Sequence, residues 1–343
     1  MSGASAAKPS KIRPMSPFTL LREIDRPIRA RRSASGKITG RRMLCAAIDI
    51  GSNTTRVLVA EPEEGQLRKV MEQRAYTRIG KDVTRGGGEI SEEKLGEVVD
   101  VVCTQVRLAQ ELGAEAIRIV ATAAIRKAAN GDEFAAEIER AAGVPVDVLS
   151  DHEEGRLAFI GATKALGHPV DGEIAVVDVG GGSSEVTVGT IADGVDEVHS
   201  YGIGSGVLSE DLISGDPPGP GEIRKLRERI EDFFDGVELE HPDQAVAVGG
   251  SATSLRRLVG AVLEYETLER GVRVLTSDPA VDVAKKFELD PRRVEVLAAG
   301  VLLLEQFSQM LGQPLQIGKG GLREGVILEM LADGGGDLAE RAA

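Results

Sequence analysis

A segment near the beginning of the chain recurs, without a gap, 129 positions further along. Residues 48–59 align with residues 177–188, and each copy consists of an apolar run, an Asp-x-Gly turn, a pair of hydroxyl residues and a second apolar run. Such a pattern predicts a β-hairpin whose turn needs close backbone approach and a positive φ, both of which glycine allows. A duplication about one domain in length predicts two domains whose hairpins face each other across a cleft.

Strands and helices alternate along the rest of the chain, which predicts an α/β fold. Short β-branched runs indicate strands, and apolar residues three or four positions apart between capping residues indicate helices. The predicted strands include Cys45–Ile50, Thr55–Ala60, Ala116–Ala121 and Val144–Leu149. The predicted helices are 92–112, Phe134–Ala142, Glu222–Phe234 after the linker Asp216–Gly221, Pro291–Leu311, and a last helix from about Leu322.

A third glycine-rich segment follows the apolar run Ala245–Val248. Gly249, Gly250 and Ser251 lead from this predicted strand into a helix that we expect to begin at Ser254. The free N–H groups at such a helix start favour an anion, so the segment is a candidate phosphate site. The alternative is that the glycines only relieve crowding between the strand and the helix.

Composition and charge exclude several classes of function. No run reaches the roughly 18 apolar residues of a membrane span, and aromatic residues make up 3%, too few for a base-stacking surface. Residues 1–42 carry eleven Lys/Arg and two acidic residues, a net charge of +9. Because the whole chain has a net charge of −14, residues 43–343 have a net charge of −23. A body this acidic repels nucleic acid. The two separated cysteines indicate a reducing, cytoplasmic compartment.

The basic leader 1–42 has no apolar core, so it does not resemble a secretory signal. Its composition, rich in Ser, Pro and Ala, predicts disorder. Met43 lies directly before the first strand, and translation from it is an equally good interpretation of the leader.

The body resembles the Ppx/GppA phosphatases, relatives of actin, Hsp70 and the sugar and acetate kinases. The matching segments, in the family's order, are AIDIGSNT (47–54), ATAAIR (121–126), SDHEEGR (150–156), VDVGGGS (177–183), GGSAT (249–253) and GLREG (321–325). The resemblance implies two actin-like (ribonuclease H-like) domains with mixed sheets flanked by helices and an active-site cleft between them. Domain I would comprise 43–160 with about 322–332, domain II would comprise 161–321, and 333–343 would be a tail.

The resemblance also assigns chemistry to particular residues. Ser150 and Glu153 have the spacing of a capping box, which leaves Glu154 free, and the family's catalytic glutamate falls on Glu154. Asp178 and Glu185 fall on its Mg²⁺ contacts, whereas Asp49 is assigned either to a water or to its own turn. The implied phosphate-binding residues are Asp49, Gly51, Ser52, Asn53, Thr54, Arg126, Gly180, Gly181, Gly182, Ser183, Gly249, Gly250, Ser251 and Arg323, with Arg78 a weaker candidate.

These assignments predict a Mg²⁺-assisted exopolyphosphatase that removes terminal phosphate from inorganic polyphosphate. The sequence departs from the family at Ile317–Gly321, which lacks the usual Ser or Asp, and the acidic body favours short chains. Guanosine pentaphosphate is the alternative substrate, because it presents the same terminal phosphoanhydride. A kinase of the same superfamily and a non-catalytic nucleotide sensor are two competing hypotheses, and a homodimer is compatible with the resemblance.

Overall fold

The computed structural model describes residues 43–166 and 170–333. The expectations for the leader 1–42 and for the tail after residue 333 therefore lie outside the described residues. In the described part of the chain, no helix combines the length and the apolar character needed to cross a bilayer.

The first sheet is mixed and has the strand order β3-β2-β1-β4-β5. β1 and β2 form the predicted antiparallel hairpin, while β1, β4 and β5 run parallel to each other. The third strand, β3, was not predicted, because its side chains are mostly charged and exposed. The strands are β1 Cys45–Ile50, β2 Thr55–Glu63, β3 Gln66–Ala75, β4 Ala116–Ala121 and β5 Val146–Val148.

The second sheet is also mixed, with the order β10-β11-β9-β6-β7-β8. Its β6 and β7 form the second predicted hairpin, and β6 pairs in parallel with β9. The strands are β6 Glu173–Val179, β7 Ser184–Thr190, β8 Gly194–Tyr201, β9 Gln244–Val248, β10 Val262–Leu263 and β11 Leu315–Ile317.

Helices cover both faces of the central strands, which explains why β1 and β6 are apolar without alternation. In β1, Ala46 and Ile48 belong to one apolar cluster, whereas Cys45 and Ala47 belong to another on the opposite face. The helices are α1 Ile79–Arg85, α2 Glu92–Glu111, α3 Ala123–Lys127, α4 Gly131–Ala142, α5 Asp151–Ala165, α6 Ser205–Leu212, α7 Pro220–Phe234, α8 Gly249–Val259, α9 Tyr265–Ser277, α10 Ala280–Phe287, α11 Pro291–Val294, α12 Leu297–Leu311 and α13 Leu322–Ala332.

The predicted bounds were wrong for helices α4, α7 and α8 and for the segment Pro291–Leu311. The segment Pro291–Leu311 is not one helix, because residues 295 and 296 form a turn that separates the short α11 from the buried α12. This break lets Arg293 turn towards the glycines that begin α8. Helix α7 begins at Pro220, not at Glu222, because proline's fixed φ suits the first helical position.

The two sheets are joined where α5 meets α13. A Cβ at Gly161 of α5 would overlap the carbonyl oxygen of Gly321, and one at Gly325 of α13 would overlap that of Leu157. Glycine is therefore required on both helices for their backbones to touch. Helix α13 also packs against β1.

Candidate active site

The two repeated hairpins have the same register and meet tip to tip. Asp49 pairs with Arg56 in the first and Asp178 with Glu185 in the second, and each turn is closed by an N–H bond from its first glycine to the fourth residue (3.1 and 3.0 Å). A Cβ on Gly181 would lie 2.7 Å from the Cβ of Asn53. Close approach therefore explains the glycines of these turns.

The prediction of positive φ at these turns was wrong. None of Gly51, Gly180, Gly181 and Gly182 has a φ in the left-handed region. The hydrogen bond from the first glycine to the fourth residue closes each turn, and none of these glycines needs a positive φ for it.

The third glycine segment does need positive φ. Gly249 has φ 80°, and a Cβ there would overlap Oδ1 of Asp178, while one on Gly250 would overlap the guanidinium of Arg293. Helix α8 begins at Gly249, five residues earlier than predicted. The Ser251 side chain is fully buried, with its Oγ 3.4 Å from the Val179 carbonyl oxygen, so it does not line the cavity.

A cavity of about 440 Å³ lies between the hairpins, the start of α8 and the start of α13. Of the residues predicted from the sequence, it is lined by Asp49, Gly51, Ser52, Asn53, Thr54, Glu154, Asp178, Gly180, Gly181, Gly182, Ser183, Glu185, Gly249, Gly250 and Arg323. Arg126 and Ser251 are not among its lining residues. The structure thus gathers most of the predicted site into one space.

Four carboxylates lie at one end of this cavity. Burial raises the pKa of Glu154 to about 7, against the opposing influence of Arg126, and Asp49 and Asp178 raise it further. Burial also raises the pKa of Asp178, and burial together with Glu154 and Asp178 raises that of Glu185. Burial and mutual repulsion thus both disfavour the ionised forms of these carboxylates.

This donor set fits a magnesium ion. Asp178 has no hydrogen-bond or ion-pair partner among residues 43–166 and 170–333. No three of the described His, Cys, Asp or Glu residues form a metal cage by themselves. Mg²⁺ is commonly bound through one or two carboxylates, waters and substrate phosphates, and so does not require such a cage. Asp178 and Glu185 are the residues that would hold the ion.

Arg126 contacts carboxylates and not the cavity. Its guanidinium lies 3.1 Å from Oε2 of Glu154, pairs with Asp151 and donates to the Leu149 carbonyl. The carbonyl and the two acids hold the guanidinium between the end of β5 and the first turn of α5. The structure therefore places Arg126 where it can orient Glu154.

The capping box predicted at the start of α5 is only half formed. Ser150 Oγ accepts from the Glu153 N–H at 3.2 Å, as predicted. The Glu153 carboxylate does not return to Ser150, because it accepts two hydrogen bonds from Arg156 (2.6 and 2.8 Å). Arg156 also pairs with Glu329, so this pair helps to tie α5 to α13.

The cavity wall also carries arginines, most of which were not predicted, and one of them, Arg56, lies 3.6 Å from Asp49. These arginines include Arg56, Arg74 and Arg293 besides the predicted Arg323. Arg293 is 6% exposed, and its Nε has no hydrogen-bond partner among residues 43–166 and 170–333. Arg323 donates to Glu72 at 2.8 Å, but its Nη1 has no partner in the same ranges. The hairpin repeat could have revealed Arg56, which occupies the position of Glu185. Nothing in the local sequence distinguishes Arg293 from a surface arginine.

Arg78, the weaker candidate, lies outside this cavity. It has a left-handed backbone (φ 50°), and its guanidinium is 3.9 Å from Glu295. Its N–H donates to the Asn53 carbonyl at 3.1 Å, so it supports the first hairpin from behind.

Fold and cavity together define a class of protein: two-sheet α/β proteins in which glycine-rich hairpins and carboxylates share one cleft. The model of the Ppx/GppA phosphatase family matches residues 58–333, and the chain belongs to this family. The family predicted from the sequence is thereby confirmed.

Relatives and solved structures agree. Exopolyphosphatase 1 of Mycobacterium leprae is 28% identical over 316 residues, which cover 85% of this chain and 91% of that protein. The crystal structure of the Aquifex aeolicus Ppx/GppA family member is 30% identical, with a TM-score of 0.71 over 85% of this chain and 99% of its own. An exopolyphosphatase from Cytophaga hutchinsonii, 18% identical, shares the fold (TM-score 0.73; 85% and 98% covered). The predicted α/β class with two mixed, helix-flanked sheets is confirmed.

Proposed function

We propose that this chain is an exopolyphosphatase that hydrolyses the terminal phosphoanhydride of inorganic polyphosphate. The observation that carries the proposal is that Glu154, a buried carboxylate with a raised pKa, lines the same cavity as both hairpins. The name of the mycobacterial relatives supports the choice of substrate. Guanosine pentaphosphate, which ends in the same group, is the second candidate.

The N–H groups and hydroxyls of Gly51–Thr54 and Gly180–Ser183 would hold the terminal phosphates, as turn amides do in other anion sites. Arg323 and Arg293 would neutralise charge on the phosphate that leaves with the shortened chain. Mg²⁺ held by Asp178 and Glu185 would polarise the phosphoryl oxygens.

Glu154 would act as the general base. Its carboxylate accepts the proton of a water aligned with the terminal phosphorus, and Arg126 holds the carboxylate in the orientation that this step needs. A glutamate with a raised pKa is well matched to this step, because a base works best when its pKa is close to the ambient pH.

Replacing the base tests the proposal. Glu154→Gln should reduce phosphate release from tripolyphosphate by about 10²–10⁴-fold, as expected for loss of a general base. Binding of the same compound, measured by calorimetry, should be retained. The matched control is Glu153→Gln, because Glu153 is the adjacent carboxylate but pairs with Arg156 outside the cavity. It should keep the wild-type rate.

Three different results would each favour a different conclusion. Wild-type activity in Glu154→Gln would remove the base from the mechanism. Phosphate transfer from ATP that requires an acceptor would indicate a kinase, and binding of guanosine pentaphosphate without turnover would indicate a sensor. Comparing tripolyphosphate, long-chain polyphosphate and guanosine pentaphosphate as substrates, with and without Mg²⁺, decides between the two phosphoanhydrides.

A further inference from the structure

A second cavity opens beside the catalytic one and shares part of its wall. It has a volume of about 730 Å³, and Arg74 and Asp290 line both spaces. Tyr76, Glu97 and Arg292 complete the polar part of its lining. A molecule that fills the first cavity can therefore continue into the second past Arg74.

Two arginines and two carboxylates line this outer cavity. Neither Arg74 nor Arg292 forms an ion pair with any residue that the structure describes. The two carboxylates nearby are already engaged: Glu97 pairs with Lys94, and Asp290 accepts the Arg292 backbone N–H at 2.9 Å to cap α11. Both arginines lie at one opening of a body with a formal charge of −23.

Tyr76 adds a polar group without a partner. Its hydroxyl is buried and makes no hydrogen bond within the described residues. The Arg292 guanidinium lies over its ring, 5.3 Å from the centroid, which fixes the guanidinium plane while its N–H edges remain available. Buried hydroxyls normally find a partner, so this one is a polar group left unsatisfied behind the cavity wall.

Positive charge continues inward from this opening. Burial lowers the pKa of the Arg293 and Arg56 guanidinium groups, and the positive charge of nearby Arg74 lowers both further. Their mutual repulsion is relieved by an anion that lies along them. A single terminal phosphate, held at the hairpins, would leave the outer arginines unmatched.

We infer that Arg74, Tyr76 and Arg292 form an outer anion-binding subsite for phosphate groups of the same substrate that lie beyond the catalytic cavity. The inference rests on the proposed function for the identity of the substrate. The phosphates come either from the interior of a polyphosphate chain or from the second pyrophosphate of a guanosine nucleotide. Arginine suits both sources, because its fork matches phosphate oxygens.

The test combines Arg74→Gln with Arg292→Gln and compares substrates of different reach. For long-chain polyphosphate, KM should rise about tenfold with kcat unchanged, because two charge-assisted contacts are lost far from the reacting bond. For tripolyphosphate, which fills only the hairpin end, KM should not change. Arg107→Gln, an exposed arginine of α2 outside both cavities, is the control for net charge.

The KM values for the different substrates either support the subsite or overturn it. A rise in KM confined to polyphosphate, or confined to guanosine pentaphosphate, supports the subsite and identifies its source. Unchanged KM for both substrates overturns the inference, and so does an equal rise for tripolyphosphate, which would assign the arginines to the catalytic cavity.

A binding measurement separates this inference from the proposed function. The Kd of long-chain polyphosphate for Glu154→Gln should rise about tenfold when the two arginine changes are added, and its dependence on salt should become less steep. This result does not require turnover. An unchanged Kd would overturn the subsite even if the enzyme hydrolyses polyphosphate.

Discussion

Glu154 and Arg126 show how one contact changes the role of a side chain. Arg126 ends a family-like segment after a strand, and the sequence alone predicts that it clamps phosphate. In the structure its guanidinium is occupied by Glu154, Asp151 and a carbonyl oxygen. A guanidinium already paired with two acids has little remaining capacity for substrate, but it determines where the Glu154 carboxylate lies.

A positioning role has a kinetic signature that a phosphate clamp lacks. Arg126→Gln should lower kcat by roughly 10- to 100-fold, because a base that is misplaced by about 1 Å loses that much, while KM for tripolyphosphate stays near its wild-type value. Arg126→Lys should restore part of kcat through a single charged contact. Steady-state kinetics on the three proteins provide the measurement. A large increase in KM with little change in kcat would instead support the clamp.

The first hairpin and its repeat could be predicted residue by residue, since spacing alone carries that information. Side-chain direction could not be predicted in the same way. Ser251 belongs to a phosphate-like motif, yet it packs under Gly300 and Val179. Arg293 belongs to no motif, yet the break before α12 turns it into the cavity. Both outcomes depend on tertiary packing that local sequence does not encode.

At the scale of single elements, the loop before α7 is organised by one carboxylate. Glu222, in the first turn of α7, accepts hydrogen bonds from the N–H groups of Gly219, Ser214 and Gly215 and from the Ser214 hydroxyl (2.7–3.1 Å). These bonds lower the pKa of Glu222 to about 2, and the bond from the Gly219 N–H has the largest effect. The sequence indicated only a Pro/Gly-rich linker here, because the hydrogen bonds that the Glu222 carboxylate accepts from residues 214–219 are not visible in a local pattern.

This pKa shift predicts a pH dependence of stability. Because the folded-state pKa lies below the ordinary value of 4.5, the ionised Glu222 stabilises the fold fully above that pH. The contribution is lost as the pH falls from about 4.5 towards about 2. The difference in Tm between the wild type and Glu222→Gln should therefore be largest at neutral pH and shrink between pH 5 and pH 3.

Glu228→Gln on the same helix is the control, because Glu228 makes only a long surface pair with Arg224 (3.7 Å). Its difference in Tm from the wild type should stay small at every pH. Parallel loss of stability in both variants would show that the loop bonds contribute nothing specific.

At the scale of the whole molecule, the contact between α5 and α13 holds the two sheets together. The chain passes from the first sheet to the second through α5 and returns through the segment that leads into α13. Glycines at the crossing bring backbone against backbone, and the Arg156–Glu329 pair lies beside it. The sequence predicted both helices, but their close approach emerged only from the structure.

Adding a methyl group at this crossing should destabilise the protein. Gly161→Ala would force the Cβ into the Gly321 carbonyl, and overpacking of this kind costs about 1–3 kcal/mol. Gly96→Ala is the control, since Gly96 lies on the exposed side of α2 with nothing near its Cβ position. It should stabilise by roughly 0.5–1 kcal/mol through helix propensity. Chemical denaturation of both variants measures the two free energies of unfolding, and a neutral Gly161→Ala would contradict the tight crossing.

The backbone contact at Gly161 and Gly321 also limits how the cleft can change width. Both covalent connections between the sheets run close to it, and the touching backbones leave no room for the two helices to move closer together. We therefore expect the cleft to change width mainly by rotation about this contact. A small rotation there would become a larger displacement at the hairpin tips, where the proposed substrate would enter.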